Sequence, residues 1–412
     1  MSSTRPSLLS RLWNGELPVF SPGAYRVPAA CLTLFLGSSL AIALLLAPHN
    51  DSLFLGPGLG LESDPEMLPR FYAYISAQHA WLGYGLIALA LVSASCIVGL
   101  SAAGYFGHKN ALGEHYPLRE HLTFPAIALM ERVLFAAAVV GLGVVGWALG
   151  WDFGVGIRLV NECAVQTDRW VNATVPTLIE LPYALAFFVS YGLAGFVHYG
   201  LHRASHESRL LWLMFHRFHH MPTVMFSASV PPVFFSVPLF AVLIIPYHLA
   251  FAMLTKLVCD QPLYFALIVY KLVYYVPDIW AHSTALFESG RKSRWVRWSG
   301  FFLSNGIYHY RHHSSIEGDE MANLGGSFCY LPDLLFGTFR PVPDKLPPIG
   351  LTNQPELYYN PIRLALSGMA QIVYELRHNP GIASWLRIVF GSVYYVPPNS
   401  RNYAIKGYGP AL

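Results

Sequence analysis

Three groups of closely spaced histidines dominate the chemistry that this 412-residue chain could perform. They are His202-Arg-Ala-Ser-His206, His216-Arg-Phe-His219-His220 and His309-Tyr-Arg-His312-His313, with a lone His282 before the third group. Residues at i, i+3 and i+4 of a helix share a face, so each group can present two or three imidazoles to one point. Neutral imidazole binds iron, zinc and copper. Because a zinc ion takes only three or four protein ligands, these nine histidines predict two metal ions.

Other interpretations of the histidines are weaker. A single HxxxH pair is also compatible with interfacial histidines that cap helices, but two HxxHH groups beside it favour metal binding. A zinc hydrolase usually carries an HExxH motif, which is missing, and Glu207 beside His206 is the nearest acidic residue. The rival of a different class is a membrane metal carrier without enzymatic activity. A carrier should place ionisable residues in the middle of its spans, whereas these imidazoles follow the ends of the apolar segments.

The composition is that of a membrane protein. Hydrophobic residues make up 54% of the chain and charged residues 12%, where soluble domains carry about a quarter charged residues. The mean hydropathy is +0.42. The net charge of +3 is small and the 26 Lys and Arg are dispersed, so the sequence gives no support for nucleic acid as a partner.

Apolar segments of about 20 residues predict the membrane spans. They cover 27–47, 81–106, 133–151, 181–197, 230–254 and 263–280, the last two of which are interrupted by prolines. We therefore predict an all-α integral membrane protein with four to six transmembrane helices, topped by a cytoplasmic helical cap that carries the histidines. The predicted domains are a transmembrane region at 1–180, a catalytic domain at 181–340 and a cytoplasmic or interfacial tail at 341–412.

The distribution of basic residues predicts the orientation. Most of the Lys and Arg lie on the side of the N-terminus when the six segments cross in turn, which makes that side cytoplasmic. All three histidine groups then emerge on the cytoplasmic side, as a shared active site requires. The aromatic segment 264–280 is predicted either to line a lipid route or to pack between helices.

The histidine motifs resemble those of the fatty acid hydroxylase/sterol desaturase superfamily. The resemblance rests on Tyr199–His206, Leu211-Trp212, the two HxxHH groups, Asn323-Leu-Gly325 and Asp333-Leu-Leu-Phe-Gly-Thr-Phe339. The superfamily has N-[YF]-G and W-D-x-x-F-G-T-[FY] in the last two elements, and this chain departs from them at Leu324 and Pro332.

This resemblance implies a di-iron centre and O₂-dependent hydroxylation of a C–H bond in a fatty acyl, sterol or ether lipid. Desaturation on the same site is the alternative. The implied ligands are His202, His206, His216, His219, His220, His282, His309, His312 and His313. We also predict catalytic roles for Glu207 and Asn323, whereas His198, one turn before His202, is either a further ligand or a neighbour of the ligands.

The electrons are expected to come from a separate partner. The sequence has neither a cytochrome b5-like His-Pro-Gly-Gly segment nor a dinucleotide-binding glycine motif. A cytochrome b5 or ferredoxin-type protein is one possible donor. The His202-Arg-x-x-His206-Glu207 element and the tail also resemble the alkylglycerol monooxygenase branch, for which the implied donor is a reduced pterin.

Overall fold

The computed structural model describes residues 117–151, 166–167, 169–225, 246, 249–260, 282, 287–303, 306–326, 329–352 and 356–406. Its helices include α1 (Leu118–Ala148), α2 (Tyr183–Glu207), α3 (Arg209–Leu211), a π-helical turn (Trp212–His216), α4 (Arg217–His220), α5 (Phe287–Lys292), α6 (Arg294–Leu303), α7 (His309–His312), α8 (Leu331–Phe336), α9 (Pro361–His378) and α10 (Ile382–Phe390).

The all-helical part of the predicted fold class is confirmed for these residues, which contain isolated bridges but no strand. The predicted span 181–197 falls on α2 and most of the span 133–151 on α1. The other predicted spans and the aromatic segment lie wholly or largely outside the described residues. Among the helices that are described, none combines the length and the apolar character that a bilayer crossing requires. The number of spans and the orientation therefore stay predictions.

The helix that carries the first histidines begins after a proline and ends at a change of backbone direction. Pro182 precedes α2, and Ser208 follows it in an extended conformation, with φ −90° and ψ 125°. The Ser208 hydroxyl then accepts a hydrogen bond from the amide of Leu211 and caps the next helical segment. This break separates the histidines of α2 from those of the π-helical turn and α4, and lets the two segments face each other.

An apolar core joins α1 and the C-terminal region to the histidine-bearing helices. Phe124 and Ile127 of α1 pack with Phe218 of α4, and Leu364 of α9 belongs to the same buried cluster. Burial of each such side chain stabilises the fold by roughly 1.5–3 kcal/mol. Helices that precede and follow α4 in the chain therefore hold this histidine-bearing helix in place.

The C-terminal helices α9 and α10 lie directly against the π-helical turn. A Cβ at Gly368 would come within 1.9 Å of the carbonyl oxygen of Leu213, so only glycine permits this approach. Arg209 and Glu375 form a buried ion pair with a closest distance of 2.7 Å. Arg217 donates to Gln371 at 2.6 Å. The residues predicted as a tail thus include two helices that pack against the site.

Candidate metal centre

The structure brings all nine predicted histidine ligands together, in two adjacent groups. Within each group the ligand atoms lie within 4.8 Å of one another. The five-histidine group contains His202, His206, His216, His220 and His312, and the four-histidine group contains His219, His282, His309 and His313. The rings of His220 and His313 stack across the boundary with their centroids 4.3 Å apart. Each group could hold one metal ion.

The division of each HxxHH motif between the groups follows from helix geometry. His216 and His220 are an i, i+4 pair and share the five-histidine group, as His309 and His313 share the four-histidine group. Adjacent helical residues point about 100° apart. His219 therefore faces the other group from His220, and His312 and His313 are divided in the same way.

The spacing of the ring nitrogens tests whether the two groups fit metal ions. In the five-histidine group, His216 Nε2 lies 3.0 Å from His202 Nε2 and 3.1 Å from His220 Nε2. In the four-histidine group, His309 Nε2 lies 3.1 Å from the Nε2 atoms of His282 and His313. When two nitrogens bind the same ion, each at about 2.0–2.1 Å, the nitrogens are roughly 3 Å from each other. The observed separations match that requirement.

Backbone carbonyls orient two of the rings. The Nδ1 atom of His202 lies 2.6 Å from the oxygen of Leu324, and that of His312 lies 2.9 Å from the oxygen of Ala322. A carbonyl can only accept, so each Nδ1 carries the proton and donates it. The lone pair of each ring is then on Nε2, directed into the five-histidine group.

The loop that supplies these carbonyls is held by two buried polar side chains. Asn323 has a left-handed conformation (φ 53°), and its amide donates to the backbone oxygens of Tyr308 and Arg340 at 2.9 and 3.0 Å. Asp333 accepts from the amides of Leu324 and Gly325, both at 2.7 Å. Burial raises the pKa of Asp333 to about 6, although these hydrogen bonds oppose the shift. Asn323 and Asp333 therefore position the loop that orients the ligands.

Removal of the Asp333 carboxylate is expected to weaken metal binding without removing a ligand. In Asp333→Ala, the amides of Leu324 and Gly325 lose their acceptor, and the carbonyl of Leu324 is free to shift from His202. Loss of such an outer contact typically lowers metal affinity by about 10–100-fold. Competition with a chelator of known affinity measures the change. The exposed Asp344 provides the control, and equal affinities of Asp333→Ala and Asp344→Ala would contradict the assigned role.

Burial favours the neutral form of seven of the nine histidines near pH 7. Desolvation lowers the pKa of His202 to about 4, against the hydrogen bond to Leu324 and with a smaller contribution from His282. It also lowers, well below the ordinary value, the pKa values of His206, His216, His220, His309, His312 and His313, and neighbouring histidines add to the effect. Neutral rings offer their lone pairs to a metal without first losing a proton.

These lowered pKa values predict that the metal-free protein loses stability on acidification. The unfolded chain binds protons at its histidines near pH 6.5 and the folded chain does not. The contribution of these histidines to the free energy of unfolding is therefore fully present above pH 6.5 and is lost as the pH falls from 6.5 to about 4. Burial raises the pKa values of Glu120 and Asp333 to about 7 and about 6, which opposes the trend, but seven rings outnumber two carboxyls. Denaturant titrations at pH 7.5, 6, 5 and 4 measure it, and constant stability would contradict it.

The structure places the remaining predicted site residues outside both groups. Glu207 is exposed and forms an ion pair with Arg203 at 2.8 Å. The polar atoms of the Asn323 side chain bond to the backbone of Tyr308 and Arg340. His198 packs beside His202 with ring centroids 5.6 Å apart. Catalytic roles for Glu207 and Asn323 stay predictions, and the described contacts of Asn323 are structural.

This geometry defines a class of protein: in the part of the chain that the structure describes, helices bring together two adjacent groups of histidines, each of which could hold a metal ion, and neither group includes a carboxylate. A protein-family model described as Fatty acid hydroxylase matches residues 187–338, which include all nine histidines together with Asn323 and Asp333. This match supports membership of residues 187–338 in the fatty acid hydroxylase/sterol desaturase superfamily, whose members are generally membrane-associated. Searches of curated proteins and of solved structures found no significant match.

The family and the histidine groups together support, at a coarse level, an oxidoreductase of the lipid hydroxylase or oxygenase kind. The matched segment ends before α9 and α10. The contacts that these two helices make with the π-helical turn are therefore features of the chain beyond the matched domain.

Proposed function

We propose that this chain is a membrane-bound di-iron monooxygenase that hydroxylates a C–H bond of a fatty acyl, sterol or ether lipid with O₂. The observation that carries the proposal is the convergence of nine imidazoles, seven of them buried and two half-buried, into two adjacent groups within the family-matched segment. Zinc takes up to four protein ligands, fewer than the five-histidine group offers, which favours iron. The apolar composition and the family support a multi-pass membrane location. The distribution of basic residues in the sequence favours the cytoplasmic side for the site.

The proposed ligands are the five-histidine group for one ion and the four-histidine group for the other. When bound, a pair of iron ions would supply the reduction of O₂ and the oxidation of the lipid C–H bond. The chain itself orients the imidazoles: the carbonyls of Leu324 and Ala322 hold the Nδ1 protons of His202 and His312, so that Nε2 stays available. Burial of seven of the nine rings limits the access of water to the reacting groups. A separate donor, either a cytochrome b5 or ferredoxin-type protein or a reduced pterin, would deliver electrons.

Metal analysis combined with oxygen consumption tests this function. The purified chain is expected to hold about two iron ions and to consume O₂ only when both lipid and reductant are supplied. A product heavier by one oxygen atom supports hydroxylation, and a product lighter by two hydrogens would identify a desaturase on the same site. Stoichiometric zinc with turnover independent of O₂ would contradict the proposal, as would bound metal without any reaction of a lipid, the result expected for a metal carrier.

A further inference from the structure

A cavity connects the five-histidine group to the C-terminal segment. Its volume is about 320 Å³. His206, His220 and His312 line one part of it, and Trp212 stands against two of these rings, with centroids 5.3 Å from His206 and 5.5 Å from His220. The cavity is thus in contact with side chains that would hold one of the ions.

The other wall of the cavity comes from the segment that follows α10. Val393 to Val396 line the cavity, and the amide of Val393 donates to the carbonyl of Glu207 at 3.0 Å, which fixes the segment on the end of α2. The side chains of Tyr394 and Val396 are 72% and 66% exposed. Residues 393–396 therefore extend from the cavity to the surface and form its mouth.

The helices beside this mouth expose apolar side chains. On α10 these are Ile382, Trp385, Leu386 and Phe390, and on α9 they are Ile362, Leu366, Met369 and Val373. The two helices pack together, with the indole of Trp385 donating to the carbonyl of Leu376 at 3.0 Å. Apolar stripes with tryptophan, and with exposed arginines such as Arg377 and Arg387 nearby, are typical of helices that lie in a membrane interface.

We propose that this cavity receives the acyl chain of a membrane lipid through the mouth at residues 393–396, and that the exposed apolar side chains of α9 and α10 seat the mouth on the bilayer. This inference rests on the proposed function and adds the route of the substrate. A chain that enters here passes Trp212 and ends beside the five-histidine group. It would move from one apolar environment to another, because the mouth and the neighbouring helix faces are apolar.

The cavity also has polar lining, including Ser314 and Thr352, which offers a different occupant: a water-soluble reductant. Two features favour the lipid. The guanidinium of Arg209, also in the lining, is paired with the carboxylate of Glu375, and the lining carries the carboxylate of Glu320 besides the guanidinium of Arg217, so the cavity has no excess of positive charge to attract an anionic molecule. The mouth lies beside apolar side chains of α10, of which Phe390 is 70% exposed.

Quenching of Trp212 fluorescence by a brominated lipid tests the route directly. The full-length protein is placed in phosphatidylcholine vesicles with increasing fractions of a dibrominated fatty acid, and the Trp212 component is the difference from Trp212→Phe. We expect this component to be quenched. In Val393→Phe, which fills part of the cavity, half-maximal quenching should need at least about fivefold more brominated lipid. Val145→Phe makes the same change at an exposed residue of α1, outside the cavity lining and the proposed bilayer contact of α9 and α10, and should leave the curve unchanged.

Two results would overturn the route. One is a Trp212 component that iodide in the water quenches and the brominated lipid does not, which would assign the cavity to a soluble molecule. The other is a wild-type curve for Val393→Phe. A second variant, Phe390→Glu, tests the contact of α10 with the bilayer and does not depend on how the cavity repacks. It should shift the quenching curve in vesicles but not in detergent solution. Oxygen consumption is measured on the same samples. Its absence with Trp212 still quenched would contradict the proposed function and leave the route intact.

Discussion

Alanine at either of two adjacent residues, His219 or His220, is expected to remove about one of the two metal ions and to abolish lipid oxidation. The two side chains belong to different groups, so each variant damages a different ion site. Loss of an outer contact alone costs about 10–100-fold in affinity or activity, so loss of a direct ligand should cost at least about 100-fold. Metal content per chain and lipid-dependent oxygen consumption are measured together.

The matched control for these variants is His378→Ala. His378 is exposed at the end of α9, where its ring stacks on Tyr374 with centroids 4.0 Å apart, far in sequence from every predicted ligand. This variant should keep both ions and full activity. The double variant of His219 and His220 should hold neither ion stably. Full metal content and activity in both single variants would refute the assignment of these rings.

Replacement of Glu375 by alanine is expected to destabilise the fold by about 3–5 kcal/mol. Its carboxylate has no solvent exposure and pairs with the guanidinium of Arg209, which is 5% exposed. Removal of the carboxylate leaves the Arg209 charge buried without a counterion. Arg209 begins α3, which directly precedes the π-helical turn that carries His216, so metal retention should fall together with stability.

An exposed ion pair in the same region provides the control. Glu356 pairs with Lys406 at 2.9 Å, and the two side chains are about half exposed. Glu356→Ala should cost less than about 1 kcal/mol, because exposed pairs are screened by water. Denaturant unfolding in detergent gives both free energies. Similar losses in the two variants would mean that the buried pair does not fix the C-terminal helices to the site.

The candidate ligands could be predicted from the sequence because helical spacing is local. The HxxHH motifs place their rings on one side of a helical turn, whatever the rest of the fold is. The family motifs at Asn323 and Asp333 can also be identified in the sequence. The physical role of the motifs at Asn323 and Asp333 cannot be predicted from the sequence. The carbonyls of Ala322 and Leu324 orient His312 and His202 only once the chain has folded. Leu324 lies more than 100 residues after His202 in the sequence.

The position of Glu207, directly after His206 in the sequence, predicts a catalytic role for this residue. On a helix, consecutive side chains point about 100° apart, so Glu207 faces outward beside Arg203 while His206 faces the cluster. The contribution of α9 and α10 had no local signal either. A buried pair such as Arg209 with Glu375, 166 positions apart, is visible only once the chain has folded.

Anomalous X-ray scattering at the iron edge, from crystals of the iron-loaded protein, tests the central claim most directly. The expected map has two peaks, one among the five rings that include His216 and one among the four that include His282. A single peak shared by all nine rings, or iron bound elsewhere on the chain, would contradict the two-ion account.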